Sequence, residues 1–147
     1  MRLEKACAIK QFIIRLYRNK LFVDTIMKCF VCNKHNESRT ELLLNCSMTN
    51  KLPQFLIRIL RKVDGLMNNC RVDMFLFKDY PINSIENSSS MFTWKYVYNC
   101  KYNKCSPVMK SFAYAYRGLI AIITYMSLPQ LLMARNVLEI LNLDLDK

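Results

Sequence analysis

Cys29 and Cys32 stand two residues apart between Lys28 and Lys34. At that spacing a tight turn aims two sulfurs at one point while its backbone N–H groups face the thiolates. Such a knuckle supplies two ligands of a tetrahedral zinc ion, so the chain must return with two more. The best return is Cys100 and Cys105, about seventy residues downstream. One Zn2+ held by Cys29, Cys32, Cys100 and Cys105 is therefore the expected metal site. Four residues separate the second pair, the wide end of the knuckle range. Lys28, Lys34, Lys95, Lys101 and Lys104 would offset the charge of a zinc tetrathiolate. The competing reading is a set of reduced cysteines in a core that needs no metal. His35, Cys46 and Cys70 are further candidate ligands, for a second site or in place of one cysteine. His35 is the only histidine, and it fits a solvent-exposed loop equally well.

Catalysis by the chain itself finds little to work with. A nucleophile needs a base and an orienting group, and the single histidine sits three residues past a candidate ligand. Asp24, Glu37, Glu41, Asp64, Asp73 and Asp79 show no clustering in apolar surroundings, and two glycines in all leave no phosphate-cradling loop.

A length of 147 residues with 52% apolar side chains predicts a single domain, residues 1–147, with a real core. Glu4, Lys5, Lys10 and Arg15 interrupt the apolar residues at the start, so no secretory signal peptide is expected. The seven cysteines then fit a reducing compartment, where metal ligands and buried thiols outnumber disulfides. Formal charge is +11 and unevenly placed. Residues 1–62 carry 13 Lys/Arg against 4 Asp/Glu, whereas residues 63–147 carry 9 against 7. A basic half beside a near-neutral half suits a face meeting DNA, RNA, anionic lipid or an acidic protein. It suits equally a lysine excess that keeps an apolar protein soluble.

The elements that must position these residues follow from periodicity. Residues 3–22 read as a basic amphipathic helix, and residues 41–46 as a buried strand of three leucines ending at Cys46. Thr49 or Asn50 caps a helix that tolerates Pro53 in its first turn. Phe55, Leu56, Ile59, Leu60, Val63 and Met67 form its apolar stripe, with Arg58, Arg61 and Lys62 opposite as candidate polyanion-binding residues. Gly65 marks its end, or Leu66 and Met67 add a turn. Residues 72–77 and 91–98 read as strands; in the second, Phe92, Trp94, Tyr96 and Tyr98 alternate onto one face. The serines, asparagines and proline of residues 78–90 predict a surface loop. Ser106 and Pro107 start a helix reaching about Ser127, and Pro129 breaks it or opens another ending near Leu141. Residues 118–134 are the most apolar stretch. The run is shorter than the ~20 residues a membrane span needs and holds Pro129, so a buried helical hairpin is expected.

A knuckle, a leucine strand ending in cysteine, a helix and a late cysteine pair before a proline follow the order of RING fingers and U-boxes. The run from Leu21 to Cys32, with Leu42-Leu43-Leu44-Asn45-Cys46-Ser47, resembles the baculovirus U-box/RING-like family over residues 20–106. Met48 and Thr49 replace the central Cys-x-His pair of a RING, and Gln54-Phe55-Leu56 replaces its second Cys-x-x-Cys. The resemblance implies an α+β protein with a small zinc-stabilised RING/U-box-like centre. A basic N-terminal helix and a C-terminal helical hairpin, residues 107–147, would flank it. It further implies a viral protein of the host nucleus, associated with the virion, that serves nucleocapsid assembly through contacts with capsid or other host and viral proteins. The alternative it carries is an E3 ubiquitin ligase, with Phe30, Val31 and Pro107 as the partner-binding residues that recruit a conjugating enzyme. Nucleic-acid binding by the basic half is the third reading.

Overall fold

A computed structural model describes residues 46–124 and 126–145. Among them every regular element is helical. The first helix, α1, spans Lys51–Val63 and leads into a 3-10 turn at Gly65–Met67. Then come α2, Val72–Phe77, α3, Ile85–Tyr102, α4, Met109–Ala121, and α5, Leu128–Leu145.

The expected α+β fold is therefore wrong for these residues: both predicted strands are helices. Residues 72–77 are an apolar run too short for period to separate strand from helix. Phe75 and Leu76 are buried side by side, as on a helical arc and not on alternate faces of a sheet. Residues 91–98 lie inside α3, and the predicted loop at 78–90 shrinks to the connection before Ser84. That serine caps α3: its Oγ accepts from Asn87 N at 3.1 Å and donates to Pro81 O at 2.7 Å. Among the described residues there is neither a strand nor a metal-binding group, so the RING/U-box-like centre expected over residues 20–106 is not built there. The predicted leucine strand and the basic helix at 3–22 lie outside the described residues.

The core sits around α3, which is buried for most of its length. Trp94 is fully enclosed; its indole N–H donates to Leu76 O at 2.9 Å, and its ring meets Phe77 edge-on at 5.4 Å. Phe92 and Tyr96, one helical turn apart, pack on Phe112 of α4, with both centroid separations 5.1 Å. Burying so large an aromatic payload is the main source of stability here.

Around this helix the predicted framework holds where the 3.6-residue period was clear. In α1 the buried residues include Phe55, Leu56, Ile59 and Leu60 as expected, and Leu52, Pro53 and Ile57 widen the stripe. Asn50 makes no side-chain cap; the start is set instead by a preceding turn in which Asn50 N donates to Cys46 O at 2.9 Å. The C-terminal pair, α4 and α5, packs together more extensively than any other two described helices. Only Ala134, Val137 and Leu141 of α5 are buried, so the hairpin covers one face, and Ile122, Leu128 and Leu143 stay exposed. Gln130 at its start ties it to the core by accepting Ile85 N at 2.9 Å. Among the described residues no helix is long and apolar enough to cross a membrane.

Candidate functional site

The predicted polyanion-binding residues divide. Arg58 and Lys62, one turn apart on the exposed side of α1, line a groove of about 670 Å3. Across it stand Met109 and Lys110 from the first turn of α4 and Asp144 from the end of α5. The Arg58 guanidinium rests over the Phe55 ring, 5.6 Å from its centroid, which holds the charge at the groove wall. Val108 gives α4 no side-chain cap, so the positive end of that helix opens beside the same basic residues. Among the described residues, three cations and a helix N-terminus stand against one carboxylate, which makes this lining electropositive.

Arg61 does different work. Its Nε donates to Met67 O at 3.2 Å and its terminal nitrogen to Cys70 O at 2.8 Å. Two carbonyls beyond the end of α1 thus occupy its fork, and the 3-10 turn is held against the helix.

Of the four predicted zinc ligands, Cys29 and Cys32 lie outside the described residues, as does His35. Cys100 and Cys105 are brought together. Cys100 is buried in the last turn of α3, and the chain turns back through Lys104, whose φ of 54° is left-handed. Cys105 N then donates to Cys100 O at 3.0 Å. The two thiols lie in hydrogen-bonding contact, Cys105 exposed and Cys100 inside. Burial first, then Cys105, pushes the Cys100 thiol up to about 11, so it stays protonated unless a cation takes the proton's place. Cys46 and Cys70 do not join them: no group of three or more Cys, His, Asp or Glu able to hold a metal exists among the described residues. Cys70 instead sets its Sγ 3.4 Å from Arg71 O and 3.8 Å from the Tyr80 hydroxyl. Pro107 lies half-buried between α3 and α4, while Phe30 and Val31 fall outside the described residues.

One constellation escaped the sequence. Asp64, extended at the end of α1, meets Glu86 from the first turn of α3. Glu86 is 7% exposed and hydrogen-bonded to Asp64. Burial, then the Asp64 hydrogen bond and charge, pushes its carboxyl up to about 7. Both border a cavity of about 410 Å3 that also takes in Cys70, Asp79, Tyr80 and Gln130. Burial and Cys70 likewise raise the Tyr80 phenol above its ordinary value. Twenty-one residues separate the two carboxyls, and no spacing rule spans that distance. The one available signal was Ser84 three residues before Asn87, which marks a helix start and places Glu86 in a first turn.

No family model, curated protein or solved structure matches the chain.

Proposed function

We propose that this chain is a binding protein of assembly type that holds the phosphate backbone of a nucleic acid in the groove between α1, α4 and α5. The convergence of Arg58, Lys62 and Lys110 carries the reading. Lys110 comes from an element about fifty residues away, so the cluster is built by the fold and is not a charge run in sequence. The overall charge of +11 would add long-range attraction. Nucleocapsid assembly is the setting that the resemblance suggests for such a groove. Ile122 and Leu128, 72% and 69% exposed at the turn of the hairpin, are surface that protein contacts would cover.

Fluorescence anisotropy of the full chain with a labelled oligonucleotide, across a salt series, tests this. Each phosphate that the protein ceases to neutralise should flatten the slope of log K on log salt by about 0.7–0.9. Arg58→Gln, Lys62→Gln and Lys110→Gln together should weaken binding at least about tenfold and flatten the slope by two to three such steps. Equal affinity and slope in the triple variant would remove the groove from consideration.

A second reading is favoured by the contact between Cys100 and Cys105: these thiols form half of a zinc site, with Cys29 and Cys32 as the other half. Metal content by native mass spectrometry should be one zinc per chain, absent from Cys105→Ser. A wild type free of metal would end that reading without touching the groove.

A further inference from the structure

A second cavity, separate from the basic groove, is lined both by apolar side chains, Met67, Met74, Met133 and Pro81 among them, and by the carboxyls of Asp64, Asp79 and Glu86. At about 410 Å3 it has the size of a small-molecule site, with the mixed lining such sites have: mostly apolar, with a few convergent polar groups. We propose that it binds a small aliphatic ammonium, its hydrocarbon stem against the methionines and its charged nitrogen at the Asp64–Glu86 pair.

The sign of the ligand follows from the lining. Six acidic residues lie among the described residues, and three of them border this one cavity in a chain of formal charge +11. Among the described residues the one cation in the lining, Lys78, sets its ammonium over the Tyr80 ring, 5.7 Å from the centroid. Asp64 and Glu86 share a hydrogen bond that needs one proton between them. An ammonium nitrogen can stand in for that proton while donating to both carboxylates, the charge-assisted arrangement that a buried pair of like groups favours. An anion would meet three carboxyls, and a neutral alcohol would leave the shared proton where it is. Methionine side chains adapt to stems of different shape, which suits a lining that holds three of them.

Binding should therefore expel a proton. The titratable groups that border the cavity with Glu86 are Asp64 after α1, Cys70 before α2, and Lys78, Asp79 and Tyr80 after it, and Tyr116 of α4 also feels its charge. Burial and then Asp64 push the Glu86 carboxyl up to about 7, so it is the source of the proton that an ammonium displaces. Affinity for the ammonium should rise between pH 5 and pH 8 and then level.

Three probes of equal length decide the matter: hexylammonium, hexanol and hexanoate, each titrated into the wild-type full chain with methionine methyls labelled for NMR. Hexylammonium should shift the methyls of Met67, Met74 and Met133, leave those of Met91 and Met109 in place, and bind at least about tenfold tighter than hexanol or hexanoate. Glu86→Gln and Asp64→Asn, each checked for folding by circular dichroism, should lose that preference and its pH dependence. Hexylammonium binding no tighter than hexanol, or shifting other methyls instead, would overturn the proposal on the wild type alone. A folded Glu86→Gln that still prefers hexylammonium would do the same.

Discussion

Helices α1 and α3 touch one another and are built on opposite plans. In α1 one side is apolar and the other carries Lys51, Gln54, Arg58, Arg61 and Lys62 in water. In α3 the first six residues, Ile85 to Ser90, are all buried, although five of them are polar. Water does not satisfy those groups, so the protein must. Ser89 Oγ lies 2.7 Å from the Tyr116 hydroxyl, Thr93 Oγ1 donates to the backbone carbonyl of Ser89 at 3.0 Å, and Ser84 Oγ accepts the backbone N–H of Asn87; Ser90 Oγ is the exception, buried with no partner. A surface helix is specified by where its apolar residues fall; a central one is specified by whether each polar group finds its partner.

The largest test of that contrast is Trp94→Ala. It empties the centre of the bundle and should cost about 3–5 kcal/mol in urea unfolding, against a change within about 0.5 kcal/mol for Gln54→Ala on the outer side of α1. Comparable costs would mean that α3 is not the centre. Next comes Tyr116→Phe, which deletes one hydroxyl and strands that of Ser89; a loss of about 1–2 kcal/mol with unchanged m-value is expected. A neutral result would show that the Ser89–Tyr116 bond adds nothing.

The pH dependence of stability probes the start of α3. The Glu86 carboxyl titrates at 4.5 ordinarily and about 7 in the fold. Between those values the folded chain keeps a proton that the unfolded chain releases. The contribution is complete below pH 4.5 and is lost as pH rises through 7. Its size is on the order of 1 kcal/mol once screening is allowed for. Glu86→Gln should flatten that slope in urea midpoints taken from pH 5 to pH 8; an unchanged slope would assign it to other groups. The smallest effect is expected of Ser90→Ala. Ser90 Oγ is buried with no hydrogen-bond partner, so its removal should stabilise by about 0.5–1 kcal/mol in thermal melts. A destabilised variant would reveal a partner for that hydroxyl.

The same contrast explains what the sequence disclosed. In α1 the stripe from Phe55 to Leu60, with Pro53 in the first turn, has only one good reading, although the expected side-chain cap at Asn50 is not made. In α3 the aromatic residues at 92, 94, 96 and 98 fit alternation, and they also fit helical pairs: Phe92 with Tyr96 at 6.1 Å, and Tyr98 with Tyr102 at 4.6 Å. Three consecutive serines suggested a loop because serine is usually exposed, and only partners from α4 and elsewhere reveal otherwise. Length could have arbitrated, since no glycine or proline occurs between Pro81 and Pro107. Of the candidate sites, the four-residue step from Arg58 to Lys62 was readable on one helix. Lys110 was not, and neither was the meeting of Asp64 with Glu86, because both depend on how helices dock.

Arg61 joins regions that otherwise have no reason to communicate. Seen from solvent it belongs with the cations of α1, yet the carbonyls it grips belong to Met67 and Cys70, two residues that line the acidic chamber. Exchanging it for lysine would preserve the surface potential and forfeit the two-pronged grasp, because an ammonium has no planar fork. A change that looks conservative from the outside would therefore be felt in the interior, as a loosened lining of the chamber.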